Sequence, residues 1–283
     1  MTLGQVYQNG KEYLRKAGVE SPAFDAMCLF EAIFGYNRQG LLLHGDEPAP
    51  SGHVTVFHDV IQQRADKRPL QYIMGEWPFL SLTLKVGEGV LIPREDTEVL
   101  VRTAEEMLRL REKATVLDLC AGTGAVGLGL ASLLPQVEVT CVEFFGGALA
   151  YLKENIQRHP EFTGVSWAQA DVLDSAAPKQ FGMVDAIVSN PPYVTTGEME
   201  ALQEEVRREP PTALDGGEDG LRFYRALAEH WVPALKKGGI FAVEVGEGQA
   251  EAVRQLFLQA GLKNIRTAKD FGGIDRVVAG VNL

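Results

Sequence analysis

The chain has 283 residues, of which 46% are hydrophobic and 23% are charged, a balance typical of a globular protein large enough for two domains. Its formal net charge of −11 argues against a general nucleic-acid binder, because phosphate contacts need clustered lysine and arginine. The three cysteines match no metal-binding spacing, and the first residues lack the apolar core of a signal peptide. We therefore expect reduced thiols, no metal, no membrane segment and a cytoplasmic monomer that acts on a protein or a small molecule.

The first 74 residues have the periodicity of a small helical bundle. Helices are predicted over residues 6–17, 23–34 and 53–65, and Ser21-Pro22 is typical of a helix start. Over residues 78–92 the apolar positions alternate, which predicts a β-hairpin that turns at residues 87–89. These patterns predict a helical domain at 1–74 and a hairpin linker at 75–92.

From residue 93 to the end, predicted strands and helices alternate. Such alternation indicates an α/β domain with a mainly parallel sheet and helices on both faces, which binds its ligand at the carboxyl ends of the strands. The predicted strands are 115–119, 138–143, 165–168, 184–189, 240–245 and 275–281. The predicted helices are 97–111, 124–134, 148–159, 221–235 and 249–260.

A glycine-rich loop follows the first strand of the predicted sheet. It reads Gly122-Thr-Gly124-Ala-Val-Gly127 and opens a helix, where free N–H groups let a ligand approach the backbone. Alone, the loop fits a dinucleotide, S-adenosylmethionine or a purely structural turn. Asp118 favours S-adenosylmethionine, because a carboxylate there could reach the methionine ammonium and would repel a pyrophosphate.

Two more acidic positions suit a nucleoside. Glu143 ends the next strand, where a carboxylate can accept two hydrogen bonds from ribose hydroxyls. Asp171-Val172 follows the third strand, and an acceptor beside an apolar side chain suits the amino edge and the ring face of adenine. A single aspartate at a strand end is usually a turn residue, so this pair is supporting evidence for the cofactor.

The tetrapeptide Asn190-Pro191-Pro192-Tyr193 follows the fourth strand and is the most informative motif in the chain. Its prolines fix the backbone and withhold two N–H donors, which leaves the carbonyls of Asn190 and Pro191 available as acceptors. Together with the Asn190 side-chain carbonyl they can hold a planar NH₂ group, while Tyr193 can lie against its flat face. This pattern predicts methyl transfer to a planar nitrogen, with a rigid structural turn as the plainer alternative.

The ordered set of motifs resembles class I S-adenosylmethionine-dependent methyltransferases, and more narrowly the HemK/PrmC family of peptide chain release factor glutamine methyltransferases. The resemblance covers nearly the whole chain. Besides the loop, Glu143 and the tetrapeptide, it is carried by Arg68-Pro-Leu-Gln-Tyr-Ile73, Gly75-Glu76, Leu91-Ile-Pro-Arg-Glu-Asp-Thr-Glu98, Glu209-Pro210, Ala213-Leu214, Asp219-Gly-Leu221, Glu244-Val-Gly246 with Gln249, and Asp275-Arg-Val277.

The resemblance implies a Rossmann-like sheet whose last strand is antiparallel. We expect the helical domain to contribute to substrate recognition, with a purely packing or linker role as the plainer alternative. It implies transfer of a methyl group from S-adenosylmethionine to the side-chain amide nitrogen of the glutamine in the Gly-Gly-Gln motif of class-1 release factors. The site would be built from Cys120, Ala121, Gly122, Thr123 and Gly124 at the methionine part, Glu143 at the ribose, Asp171 and Val172 at the adenine, and Asn190, Pro191, Pro192 and Tyr193 at the substrate amide. Phe144-Phe145-Gly146-Gly147 departs from the polar turn that we expect after the ribose acid.

Three other functions fit parts of the pattern. An N6-adenine nucleic-acid methyltransferase would also use Asn190–Tyr193, although the acidic charge argues against it. A nicotinamide dehydrogenase fits the glycine loop alone, and no histidine lies in either motif to transfer a proton. A non-catalytic binding module would not need the intact tetrapeptide.

Overall fold

The computed structural model describes all residues from Met1 to Leu283. The chain forms two compact units. The helical unit comprises Met1–Glu76 and Gln203–Arg208, and the sheet unit comprises Trp77–Leu202 and Glu209–Leu283. No helix of the structure combines the length and the apolarity needed to cross a lipid bilayer.

The helical unit contains five α-helices, of which three correspond to the predicted ones. Thr2 starts the first helix earlier than expected, because its hydroxyl and the Gln5 side chain form a reciprocal capping box. Asn37 follows the end of the predicted helix 23–34, and its side chain accepts N–H bonds from Gln39 and Gly40 and so begins a helix that the sequence did not predict. The helices are α1 (Leu3–Lys16), α2 (Pro22–Phe34), α3 (Arg38–His44), α4 (Ser51–Ala65) and α5 (Leu70–Met74).

A buried arginine joins the segment Gln203–Arg208 to the helical unit. The Arg64 guanidinium contacts the carboxylates of Asp25 and Glu205, each at 2.6 Å. Arg208 adds a hydrogen bond of 3.1 Å to the carbonyl of Asp66. The sequence had placed this segment within the domain at 93–283, since a contact across so many residues leaves no local pattern.

The predicted hairpin exists, but its turn was misplaced. Strands β1 (Glu76–Phe79) and β2 (Leu82–Lys85) pair, and the chain reverses at Leu80, which has φ +52°. Glu98 supports this turn by accepting the Leu80 N–H at 3.1 Å. The glycines at 87 and 89, expected at the turn, instead lie in the loop that follows β2.

The sheet unit has the predicted α/β fold, with strand order β5-β4-β3-β6-β7-β9-β8. Strands β3 to β7 run parallel, and β9 is antiparallel to both of its neighbours, as the resemblance implied. The strands are β3 (Ala114–Leu119), β4 (Val137–Glu143), β5 (Val165–Gln169), β6 (Val184–Ser189), β7 (Leu235–Glu244), β8 (Lys263–Lys269) and β9 (Asp275–Val281). Only β8 was missed, because it is an edge strand without a buried face.

Helices cover both faces of the sheet, because successive side chains of its central strands point to opposite faces and are buried on both. In β3, Val116 packs into the core on one face, whereas Leu117 and Leu119 pack into the core on the other. The helices are α6 (Thr97–Leu108), α7 (Ala125–Leu133), α8 (Gly146–Arg158), α9 (Arg222–Ala226) and α10 (Ala250–Gln259). Helix α9 continues as a π-helical turn, Leu227–Trp231, and ends near Pro233, which has no N–H to extend it.

Candidate active site

A cavity of about 380 Å³ lies at the carboxyl ends of the parallel strands, where an α/β sheet binds its ligand. All of its lining residues belong to the sheet unit. The walls come from the segments that follow β2, β3, β4, β5 and β6, and from the chain after residue 209. The lining includes segments 89–91, 120–123, 143–145, 170–173 and 210–213, together with Arg94, Thr97, Asn190 and Pro192.

The glycine loop brings backbone rather than side chains to the cavity. Cys120 and Gly122 have φ of +58° and +56°, so the loop turns sharply after β3. Gly124 has φ +83°, and an added Cβ would lie 2.6 Å from Leu152. Residues 120–123 line the cavity as predicted for the cofactor loop, whereas Gly124 does not line it and allows helix α7 to pack against α8.

Asp118 is not placed where the sequence prediction put it. Its side chain is buried beneath the loop and does not line the cavity. Oδ2 of Asp118 accepts the N–H of Gly127 at 2.8 Å, in the first turn of α7. Burial raises the pKa of Asp118 to about 7, against the lowering effect of that N–H. Asp118 therefore connects β3 to α7. The prediction that its carboxylate reaches the methionine ammonium was wrong about the direction of the side chain, which does not line the cavity.

Glu143 lies at the cavity wall, but its carboxylate is already well occupied. One oxygen accepts the N–H of Gly122 at 2.9 Å, and the other accepts those of Phe144 and Phe145 at 2.8 Å. Burial raises the pKa of Glu143, and these three N–H groups lower it. Because a carboxylate offers about four acceptor sites, roughly one is left for a ligand rather than the two expected for ribose.

The predicted adenine side of the cavity has a polar and an apolar wall. Oδ1 of Asp171 accepts the Leu173 N–H at 2.9 Å, which leaves Oδ2 without a protein donor. Val172 presents its apolar side chain, and its carbonyl accepts the indole N–H of Trp231 at 3.0 Å. The unusual pair Phe144 and Phe145 also lines this cavity. Sequence reasoning left the role of these two aromatic rings open.

Only part of the Asn190–Tyr193 motif faces the cavity. Asn190 and Pro192 line it, whereas Pro191 and Tyr193 do not. The Asn190 Nδ2 donates to the Thr97 hydroxyl oxygen at 3.1 Å, and no protein group donates to Asn190 Oδ1. This amide therefore keeps a free acceptor at the cavity wall, as the methyl-transfer hypothesis requires.

Tyr193 is held behind the motif rather than across the cavity. Its hydroxyl donates to Glu244 at 3.4 Å, and its carbonyl accepts the Gln249 side-chain N–H at 2.9 Å. An added Cβ on Gly246 would lie 3.0 Å from the Tyr193 ring. The predicted packing of Tyr193 against a substrate amide therefore disagrees with the structure, in which this ring fixes the loop after β6 to the end of β7.

Two cavity residues at the start of α6, Arg94 just before it and Thr97 at its first position, received too little weight from the sequence. Arg94 forms an ion pair with the buried Glu209, whose second oxygen accepts the Ile92 N–H at 2.9 Å. Thr97 begins α6 and contacts Asn190. From the sequence, the loop from Arg94 to Thr97 fits equally a position near the methionine end, as the resemblance implies, and an ordinary domain-entry turn. The partners of these two residues lie 93 and 115 positions further along the chain, and contacts at such separations leave no periodic pattern in the sequence.

Known proteins match the chain along nearly its whole length. A family model described as the PrmC N-terminal domain matches residues 5–75, and the methyltransferase small domain matches residues 95–219. The release factor glutamine methyltransferase of Geobacter sulfurreducens is 40% identical over 99% of this chain and 96% of its own length. That of Escherichia coli is 36% identical over 92% of each protein. The chain belongs to the release factor glutamine methyltransferase family.

A solved structure of a methyltransferase from Pyrococcus furiosus has a fold similar to that of this chain. It matches with a TM-score of 0.51 at 16% identity and covers 72% of this chain and 90% of the other. At this identity the likeness concerns the fold alone.

S-adenosylmethionine is the methyl donor of the family, and the cavity suits such a molecule. The strongly turned loop at residues 120–123 brings backbone to the wall, and a Cβ added at Gly122 would meet only the Val90 side chain, at 3.9 Å. Glu143 supplies an acceptor, and Val172 with the two phenylalanines supplies apolar surface. The structure contains no group of three or more His, Cys, Asp or Glu side chains that could hold a metal ion.

Proposed function

We propose that this protein transfers the methyl group of S-adenosylmethionine to the side-chain amide nitrogen of the glutamine in the Gly-Gly-Gln motif of class-1 release factors. The observation that carries the proposal is the free Asn190 Oδ1 at the wall of the cavity that also contains the 120–123 loop. The names of the full-length relatives support the choice of substrate.

The residues of the chain would act mainly by positioning. S-adenosylmethionine supplies the methyl group, which passes to nitrogen as the carbon–sulfur bond breaks in line. Asn190 Oδ1 would accept one N–H of the glutamine amide and so aim its nitrogen at the methyl carbon. The same acceptor would stabilise the positive charge that develops on nitrogen before a proton leaves. Glu143, Asp171 and Val172 would hold the nucleoside, and residues 120–123 the methionine part.

We infer four further features of the protein. The protein would act as a monomer, since the residues of a single chain form the cavity. It would not bind nucleic acid directly, since its net charge is −11. Residues 1–74 would contribute to recognition of the release factor, and the proposed substrate places the reaction in the cytoplasm.

Mass spectrometry of a release factor treated with enzyme and S-adenosylmethionine tests the proposal. We expect one added methyl group on the Gly-Gly-Gln peptide, and none when glutamate replaces the glutamine. Asn190→Ala should reduce the rate by about two to three powers of ten, as expected for loss of one transition-state hydrogen bond, while the protein stays folded. Methylation of adenine in DNA, with none on the release factor, would instead support the N6-adenine alternative.

A further inference from the structure

The Asn190–Tyr193 motif is held at both of its ends. At positions 191 and 192 proline has no N–H, so half of the motif cannot donate a backbone hydrogen bond. Before the motif, Ser189 ends β6, and its hydroxyl donates to the Leu119 carbonyl at 2.7 Å. After β6, the Tyr193 carbonyl accepts the side-chain N–H of Gln249 at 2.9 Å. Gln249 therefore helps to hold the end of the motif that lies beyond the strand.

The side-chain amide of Gln249 is oriented by backbone groups at both of its ends. Its Oε1 accepts the Gly246 N–H at 3.0 Å. Its Nε2 faces the carbonyls of Tyr193 and Gly220, at 2.9 and 3.5 Å. A backbone N–H can only donate and a backbone carbonyl can only accept, so the reversed amide would lose these contacts. Gln249 stands directly before α10 but makes no capping hydrogen bond to that helix, which leaves its amide for the Tyr193 loop.

Two glycines let the surrounding chain pack closely against this amide. An added Cβ on Gly220, which has φ +69°, would lie 2.4 Å from Gln249 Nε2 and 2.5 Å from the Tyr193 carbonyl oxygen. An added Cβ on Gly246 would lie 2.9 Å from Gln249 Oε1 and 3.0 Å from the Tyr193 ring. The Tyr193 carbonyl therefore has little room to move while the Gln249 side chain is in place.

A stiff stretch of backbone connects Tyr193 to Asn190. Proline fixes φ near −65° at positions 191 and 192, and a following proline restricts the backbone of Asn190 and of Pro191. Few soft torsions are left between the Tyr193 carbonyl and the Asn190 side chain. A displacement at Tyr193 is therefore passed on to Asn190 because the loop cannot absorb it. Misplacement of a reacting group by about 1 Å can cost about 100-fold in rate.

We propose that Gln249 is a positioning residue for methyl transfer, which sets the place of Asn190 by holding the Tyr193 carbonyl. The inference rests on the proposed function, because it takes Asn190 as the acceptor for the substrate amide. Gln249 does not line the cavity, so it acts through the motif and not on either reactant. Its loss should therefore reduce kcat much more than it weakens the binding of cofactor or release factor.

Two substitutions remove the contact with the Tyr193 carbonyl in different ways. Gln249→Glu keeps an acceptor for the Gly246 N–H but places a carboxylate oxygen against the carbonyl. Gln249→Met has a similar length and no amide. We expect both to lower kcat about 10- to 100-fold, with the KM for release factor and the Kd for S-adenosylmethionine within about threefold of wild type. Gln259→Glu, the same change at an exposed position of α10, is the matched control and should keep the wild-type kcat.

Thermal unfolding and calorimetric titration with S-adenosylmethionine show whether each variant is folded. If Gln249→Glu does not fold, Gln249→Met decides by the same criterion. A folded Gln249→Met enzyme with wild-type kcat would overturn the proposal. A loss of cofactor affinity as large as the loss of kcat would also overturn it, because Gln249 would then support the whole site rather than position Asn190.

A double-substitution cycle tests whether Gln249 acts through Asn190. In Asn190→Ala the acceptor that Gln249 positions is gone, so the addition of Gln249→Met should lower kcat by less than about threefold. Effects that multiply would show that Gln249 acts by another route. A wild-type enzyme that adds no methyl group to release factor would count against the proposed function, whereas methylation that is insensitive to Gln249 would count against this inference alone.

Discussion

Glu143 connects two loops that border the same cavity. It accepts one N–H from the loop after β3 and two from the turn after β4. The side chain is therefore part of the wall and also holds the wall in shape. Its remaining acceptor site is directed by these three contacts, so a ligand hydroxyl would meet an acceptor that is already oriented.

Replacement of Glu143 by alanine should weaken S-adenosylmethionine binding more than it slows bound-state chemistry. A hydrogen bond to a charged acceptor is worth about 1.5–3 kcal/mol, which predicts a 10- to 100-fold rise in Kd. Calorimetry measures the affinity, and kcat at saturating cofactor measures the chemistry. Glu138→Ala, at an exposed position of the same strand, is the matched control. Unchanged affinity in Glu143→Ala would remove Glu143 from the cofactor site.

Sequence pattern predicted the residues whose function depends on the backbone. Gly122 and Asn190 follow strands in a fixed order, so their arrival at one sheet edge follows from topology. Side-chain direction was harder to predict. Asp118 and Tyr193 stand in the expected segments but point away from the cavity, because their partners, Gly127 and Glu244, belong to packing that no local pattern reveals.

At the scale of elements, the strand–loop–helix unit from β3 to α7 depends on the buried Asp118 and on two glycines, Gly124 and Gly127. Asp118 bonds the Gly127 N–H, and an added Cβ on Gly127 would lie 2.4 Å from the Cys141 sulfur. Helix α7 therefore lies very close to β4. The same packing that forms the loop removes Asp118 from water, which is why burial raises its pKa.

Asp118→Asn should make stability less dependent on pH. Burial raises the pKa of Asp118 from its ordinary value of 3.8 to about 7, so the folded state binds the proton more tightly than the unfolded chain does. Its contribution to stability is present in acid and is lost as the pH rises from about 4 through 7. This shift corresponds to at most about 4 kcal/mol. Urea unfolding at about pH 5 and about pH 8 should show a smaller loss in Asp118→Asn than in wild type, and equal losses would contradict the prediction.

The elements that sequence reasoning misplaced share a physical cause. Strand β8 lies at the sheet edge with mostly exposed residues, so no alternation marks it. The hairpin turn at Leu80 is supported by Glu98, a contact outside the segment, whereas the glycines at 87 and 89 carry the local turn signal. Where a strand is an apolar run buried on both faces of the sheet, as in β3, β6 and β7, the sequence predicted a strand.

At the scale of the whole molecule, the two units carry different surfaces. Every residue that lines the cavity belongs to the sheet unit. The helical unit has a compact aromatic core around Phe30, which stacks on Phe34 with ring centroids 4.5 Å apart. Its helix α3 has no buried residue, and Leu42 and Leu43 are each 81% exposed. These two adjacent leucines leave apolar surface of α3 available for contact with another protein.

We expect the double change Leu42→Ser with Leu43→Ser to impair recognition of the whole release factor. Loss of two apolar contacts worth about 1 kcal/mol each predicts a rise in KM of about 10-fold or more, because the side chains cost little to remove from the folded enzyme. S-adenosylmethionine affinity and methylation of a short Gly-Gly-Gln peptide should stay unchanged, since the cavity residues are untouched.

The matched control for this prediction is Leu110→Ser, which removes a leucine 92% exposed on the sheet unit. It should leave KM for the release factor at the wild-type value. If the double variant also kept that value, helix α3 would take no part in recognition. If it lost the peptide reaction and cofactor affinity as well, the helical unit would support the sheet unit rather than bind substrate. Selective loss with the whole protein substrate alone would show that remote contacts position the reacting glutamine, as catalysis by binding energy requires.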